Sequence, residues 1–333
     1  MNNRMSIIWN LTRQCTWYCK FCCVDGKYTG DLKNVNINRN KTYKFEDELN
    51  FNEKIRIIDQ LEKNKYRIDF SGGELLIDPL NIDVILYASE KLGKENVGIS
   101  VSGAFINDEL ISKLKDKVSD VEITLDYIPY EYYSLRPVGY HEYAANAMIK
   151  LKQNGFKVGA QTVITKENMS YKKLYKLYSW LVENKIDEWS LLRFFPSGRG
   201  YKYRDFTPTY SNYCDVVNWI KEISSEKPIE VSFQYLLPNH DKYSLECRAV
   251  KKSIGITPSG TVISCFWALD EHMKPKDEKY VLGKLPNQSI EEILNSKNAL
   301  EWKKSSKCIF FCKDELESDN MNLKIHKQIK TNI

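Results

Sequence analysis

Six short β-rich runs alternate with longer stretches whose apolar residues recur at helical spacing. The runs are Met5–Asn10, Arg67–Ser71, Val97–Ser102, Val121–Asp126, Val158–Ile164 and Trp189–Phe194. Between them, Ile55, Ile58 and Leu61 share a helix face, as do Ile82, Ile85 and Leu86, and then Leu174, Leu177, Tyr178 and Leu181. Gly155 follows the helix that carries Met148 and Leu151, as a C-terminal cap should. Strands and helices in strict alternation imply an α/β fold with a parallel sheet and right-handed crossovers, either open or curved into a partial barrel. In such sheets ligands gather beyond the C-terminal strand ends. The polar, poorly periodic stretch Asp25–Asn50 reads as a long loop over that face.

The pattern changes after Gly200. A helix from Thr209 to Ser224 leads to a β-run, Ile229–Tyr235, and then to a hairpin of Ser253–Thr257 and Thr261–Phe266 turned at Pro258-Ser259-Gly260. A short helix, Ser289–Asn295, opens with a capping box of Ser289 and Glu292. The expected division is a larger unit over 1–205 and a smaller α+β unit over 206–333.

Composition narrows the class. The 333 residues carry 49 basic and 44 acidic side chains, a net charge of +5 with no dense Lys/Arg block, which argues against a nucleic-acid partner. No run approaches the 18 or so apolar residues of a membrane span, and the N-terminus MNNRMSIIWN lacks the apolar centre of a signal peptide. A cytoplasmic protein is the expectation. Its nine cysteines would stay reduced there, and clustered cysteines would then bind metal more often than form disulfides.

The cysteines fall in two groups. Cys15, Cys19, Cys22 and Cys23 sit just after the first strand, and Cys214, Cys247, Cys265, Cys308 and Cys312 lie in the last third. Three thiolates spaced Cys15-x3-Cys19-x2-Cys22 can wrap one corner of a cubane and leave its fourth iron open to a substrate or cofactor. A zinc knot is the alternative, and it needs a fourth ligand.

Cys15-Thr-Trp-Tyr-Cys19-Lys-Phe21-Cys22 resembles the signature of the radical S-adenosylmethionine (SAM) superfamily, including the aromatic residue Phe21 before the third cysteine. The resemblance implies a SAM-binding [4Fe-4S] cluster on Cys15, Cys19 and Cys22. An electron from it cleaves SAM to a 5′-deoxyadenosyl radical that abstracts hydrogen from an unactivated carbon. Later segments agree. Gly72-Gly73-Glu74 resembles the family's Gly-Gly-Glu element, where glycines allow close backbone approach and Glu74 can accept from an amine. Ser102 stands where relatives often place an asparagine for the ribose. Thr124 and Arg136, twelve residues apart, resemble a pair that holds the SAM carboxylate. Arg193, at the end of the sixth strand, is a further candidate for cofactor or substrate contact.

Cys247-x12-Gly260-x4-Cys265 followed by Cys308-x3-Cys312 resembles the SPASM/Twitch extension of this superfamily, with Val281–Leu285 and Ser289–Ser296 as its linker and helix. Four thiolates suit a closed auxiliary [4Fe-4S] cluster, and tetrahedral zinc is the alternative. The fold so implied is a partial (β/α)6 TIM-type barrel followed by a small α+β Twitch-like domain. Cys23 and Cys214 are left over. Cys214, on the helix entering the second unit, reads as buried packing or as a hydrogen-atom donor to a substrate radical.

A closed auxiliary cluster relays electrons, which favours net oxidation. The resemblance implies a ribosomally made peptide as substrate, cross-linked or epimerised. A small-molecule dehydrogenase acting on an alcohol or aminocyclitol is the alternative. An external donor such as flavodoxin or ferredoxin would supply the electron. From another class, the same cysteines could belong to a non-catalytic zinc or iron–sulfur protein, but an open three-cysteine site has no use in an electron carrier.

Overall fold

The computed structural model describes residues 4–29, 47–226, 228–234, 247–270, 272 and 274–304. Most of the expected Asp25–Asn50 loop, Tyr235, Cys308 and Cys312 lie outside the described residues. In chain order the strands and helices are β1 (Met5–Asn10), β2 (Gln14–Cys15), β3 (Lys27–Tyr28), α1 (Phe51–Asp59), β4 (Tyr66–Ser71), α2 (Pro79–Leu92), β5 (Val97–Val101), α3 (Asp108–Leu114), β6 (Asp120–Thr124) and α4 (Tyr140–Gln153). There follow β7 (Val158–Ile164), α5 (Tyr171–Glu183), β8 (Glu188–Arg193), α6 (Tyr210–Ile223), β9 (Glu230–Phe233), β10 (Ser253–Ile256), β11 (Thr261–Ile263), β12 (Val281–Lys284), α7 (Ile290–Leu294) and α8 (Lys297–Lys304).

The strands β1 and β7 coincide with their sequence expectation, and the others differ at their ends. The expected third and fourth runs, β5 and β6, stop short because Ser102 and Asp126 leave the ladder to bond elsewhere, Ser102 to Glu74 and Asp126 to Arg136. Helix ends are set locally. Asn50 with Glu53, Thr209 with Asn212, and Ser289 with Glu292 form reciprocal capping boxes. Past α4, Gly155 takes φ +82°, a left-handed conformation that glycine tolerates.

Among the described residues ten strands form one sheet in the order β12-β11-β10-β1-β4-β5-β6-β7-β8-β9. From β10 to β9 every neighbouring pair is parallel, and β11 and β12 are added antiparallel. The α/β alternation is that of a partial barrel with six β/α units, the sixth completed by α6. The sheet runs unbroken past the expected junction at 205/206, because β9 pairs with β8 and the hairpin strand β10 pairs with β1 from Ser6↔Ser253 to Trp9↔Ile256.

Alternation gives the sheet two different faces. Ile7, Trp9, Ile68, Phe70, Val121, Ile123, Trp189 and Leu191 are fully buried under the helices. The opposite positions form a polar inner face joined across strands. Ser6 bonds Asp69, Arg67 pairs with Asp69 and Asp120, Gln161 donates to Glu122, and Ser232 bonds both Ser190 and Glu188.

Candidate functional site

The first cysteines lie on a loop closed at its base by β2 and β3, which pair Gln14↔Lys27 and Cys15↔Tyr28. Its entry is fixed by Glu48, whose carboxylate accepts from Thr12 Oγ1 and from Arg13 N. Cys15 and Cys19 are buried and Cys22 is half-buried. Each sulfur receives a donor: Trp17 N to Cys15 Sγ at 3.4 Å, Arg136 Nη1 to Cys19 Sγ at 3.2 Å, and Gly26 N to Cys22 Sγ at 3.3 Å. Burial, together with Cys19 and Cys22 nearby, pushes the Cys15 thiol well up. Burial also raises the Cys19 thiol, opposed by Arg136. A metal at their centre would remove this penalty and draw the thiolates out. Among the described residues no three Cys, His, Asp or Glu side chains converge as a single metal ion requires. The donors on the sulfurs are the outer shell that an iron–sulfur cluster uses.

Other elements bring their C-terminal ends to this loop. After β4, Gly73 N donates to Thr12 O at 2.8 Å and Glu74 N to Gln14 O at 2.7 Å. The need for glycine is steric: a Cβ on Gly72 would lie 2.5 Å from Thr12 O, and one on Gly73 would lie 2.2 Å from Gln14 O. The close approach expected toward a ligand is thus made to the cysteine loop itself. Glu74 is fully buried, and its carboxylate accepts from Ser102 N, Ser102 Oγ and Leu76 N. Ser102 also accepts from Trp17 Nε1 at 3.0 Å, so one hydroxyl ties the ends of β4 and β5 to the cysteine loop.

Past β6, Arg136 pairs with the buried Asp126 at 2.7 Å while its other arm reaches Cys19. Its guanidinium lies between the rings of Phe21 (4.5 Å) and Tyr140 (4.4 Å). Burial would lower the pKa of Arg136, but Asp126, Tyr140 and Cys19 together more than offset it, so the guanidinium stays charged. Thr124 ends β6, half-buried on the inner face opposite Gln161. Arg193 follows the alternation of Trp189 and Leu191, toward the helix layer. It is buried, over the rings of Phe195 and Tyr213, each 5.4 Å away. Cys214 does not join the site either: it is half-buried on α6, in the layer outside the sheet.

The second cysteine set is seen in part. Cys247 is buried, and Cys265 follows β11 at the start of a short turn. Gly260 takes φ +83° in the hairpin turn, and a Cβ there would meet Leu285 O at 2.3 Å. Sequence reasoning missed Trp17, Asp126 and Tyr140 as parts of the site. Only the first carries a local signal, its place between the first two cysteines.

Fold and site together define a radical SAM enzyme, and the comparisons agree. Residues 9–178 match the radical SAM superfamily and residues 247–314 match the SPASM iron-sulfur cluster-binding domain. The chain belongs to the radical SAM superfamily and carries a SPASM domain, with SAM and [4Fe-4S] clusters as its cofactors. It is 30% identical over 199 residues to Fe-coproporphyrin III synthase of Methanosarcina barkeri, covering 59% of this chain and 45% of that one. To AdoMet-dependent heme synthase of Oleidesulfovibrio alaskensis it is 24% identical over 257 residues, covering 76% and 61%. The chain thus spans about half to three-fifths of the length of these curated relatives. Among solved structures, Streptococcus suis SuiB bound to precursor peptide SuiA aligns with a TM-score of 0.68 at 15% identity, over 92% of this chain and 67% of that one. Native anSMEcpe with bound AdoMet aligns with a TM-score of 0.61 at 14% identity, over 89% and 82%. At such identities they share the fold. Among the described residues no helix is long and apolar enough to cross a membrane.

Proposed function

We propose that this enzyme reductively cleaves SAM and removes hydrogen from a carbon of a peptide side chain, leading to an oxidative cross-link or an epimerised residue. The carrying observation is the set of three thiols, each met by a donor, at the C-terminal edge of a sheet whose inner face is polar. In this reading Cys15, Cys19 and Cys22 hold the first cluster, and Cys247, Cys265, Cys308 and Cys312 hold the auxiliary one. When bound, the first cluster supplies the electron that splits the carbon–sulfur bond of SAM. Arg136 keeps a fixed positive charge at Cys19, while Phe21, Tyr140 and Trp17 wall that side against water. The half-buried backbone of Gly72 and Gly73, with Thr124, is left to receive SAM. An acidic reductase of the flavodoxin or ferredoxin kind would deliver the electron, in the cytoplasm.

The inner face bears on the substrate. Its side chains include Ser6, Asp69, Ser100, Glu122, Gln161, Ser190 and Ser232, and Arg67 pairs there with Asp69 and Asp120. A polar peptide segment finds partners on such a wall. The names of the two sequence relatives favour a second reading, a tetrapyrrole substrate.

The test is to reconstitute the full chain anaerobically and supply SAM and dithionite. Release of 5′-deoxyadenosine is expected, and it should vanish in Cys15→Ala, Cys19→Ala and Cys22→Ala. Loss of mass from added iron-coproporphyrin III would overturn the peptide reading. Stoichiometric zinc with no visible absorption would overturn the radical one.

A further inference from the structure

The segment after β8 is laid directly on the cysteine loop. Gly198, at φ +54°, sits where a Cβ would fall 2.5 Å from Cys22 O and 2.7 Å from Cys23 O. At Gly200 a Cβ would meet Phe21 O at 3.1 Å. Between them Arg199 crosses the loop. Its Nε donates to Cys19 O at 3.2 Å, its Nη1 donates to Gly26 O, and the same nitrogen pairs with Asp25 Oδ1 at 3.1 Å. The guanidinium plane lies 4.4 Å over the Tyr18 ring, and its side chain is 13% exposed. Asp25, itself at φ +45°, is also held by Arg13 at 2.8 Å and Lys27 at 2.6 Å.

We propose that Arg199 is a positioning residue for the radical-generating cluster: it clamps the two limbs of the cysteine loop and holds a positive charge beside the cluster. This rests on the reading of Cys15, Cys19 and Cys22 as cluster ligands. The physical case has two parts. Two loop carbonyls, Cys19 O before the third cysteine and Gly26 O after it, take their donors from one planar fork, which fixes the distance between them. The guanidinium is partly withdrawn from water, and its partner Asp25 is shared with Arg13 and Lys27, so three cations against one carboxylate leave a net positive charge that favours the reduced, more negative cluster. Lysine could keep the charge but could not span both carbonyls.

The experiment uses the full chain, reconstituted, as wild type, Arg199→Gln and Arg199→Lys. The signal followed is the electron paramagnetic resonance of the reduced cluster that changes shape when SAM is added, which assigns it to the first cluster. Its midpoint is found by redox titration, and its loss is timed under excess EDTA. For Arg199→Gln the midpoint should fall and the signal should decay about tenfold faster, as outer-shell losses commonly cost. Arg199→Lys should keep a midpoint close to wild type and still decay faster. A merely structural role would not separate the two readouts in this way. An Arg199→Gln protein matching the wild type in both overturns the assignment, and so does an Arg199→Lys protein whose midpoint falls as far as that of Arg199→Gln. If Arg199→Gln does not fold, the Arg199→Lys pair of readouts decides alone. Wild-type protein that shows no SAM-sensitive signal overturns the cluster reading underneath.

Discussion

Arg136 illustrates how one side chain is fixed by what surrounds it. Asp126 is fully buried, and its 2.7 Å partner is the guanidinium that also reaches Cys19. Removing the arginine strands a buried carboxylate, so Arg136→Ala should lose roughly 3–5 kcal/mol in urea unfolding. In the double variant Arg136→Ala/Asp126→Asn most of that loss should return. Glu122 makes a separate prediction about pH. Burial, followed by the charges of Asp69, Asp120 and Glu188, pushes its carboxyl from the usual 4.5 up to about 8. Between those values the unfolded chain has released the proton and the folded one keeps it. Glu122 therefore costs the native state progressively more stability as pH rises from 4.5 toward 8, and a constant amount above that. Replacing it with glutamine, which can still accept from Gln161, should flatten this slope, a difference on the order of a few kcal/mol at pH 8. Urea midpoints of the two proteins from pH 5 to 9 would show it, and parallel curves would contradict it.

At the scale of elements, the Gly-Gly-Glu segment and the cysteine loop form one unit stitched by backbone. Gly73→Ala would place a methyl group within 2.2 Å of Gln14 O, where neither backbone can yield cheaply. The expected result is loss of most reconstituted iron from the first cluster with little change in helix content by circular dichroism. This level also shows where sequence is informative. Strands such as β1 and β7 were legible because their apolar and polar positions separate onto two faces, and the cysteine motif because its members are adjacent along the chain. The contacts that complete the site were not. Trp17 meets Ser102 across 85 positions, Arg136 meets Cys19 across 117, and Arg199 meets Cys19 across 180. No local pattern records a pairing made by strand order. Glu74 teaches the same lesson from the other side: the motif singled it out, but burial turns its carboxylate to Ser102.

For the whole molecule, two clusters predict about eight iron per reconstituted chain. Cys308→Ala/Cys312→Ala should bring this to about four while sparing 5′-deoxyadenosine release, because that release depends on the first cluster alone. Retention of all the iron would move the auxiliary ligands elsewhere.

The pairing of β10 with β1 carries a further consequence. The strand that leads into the cysteine loop has as its immediate neighbour a strand from the hairpin that ends at Cys265. A chain cut after residue 205 would keep every residue of the SAM motifs, yet it would bare β1 on one side and β8 on the other. Each would then offer a row of unpaired amides to the next molecule. Such a fragment should come out of cells as inclusion bodies, and the two halves expressed together should rescue each other. The auxiliary segment is, in mechanical terms, the selvedge that keeps the barrel from unravelling.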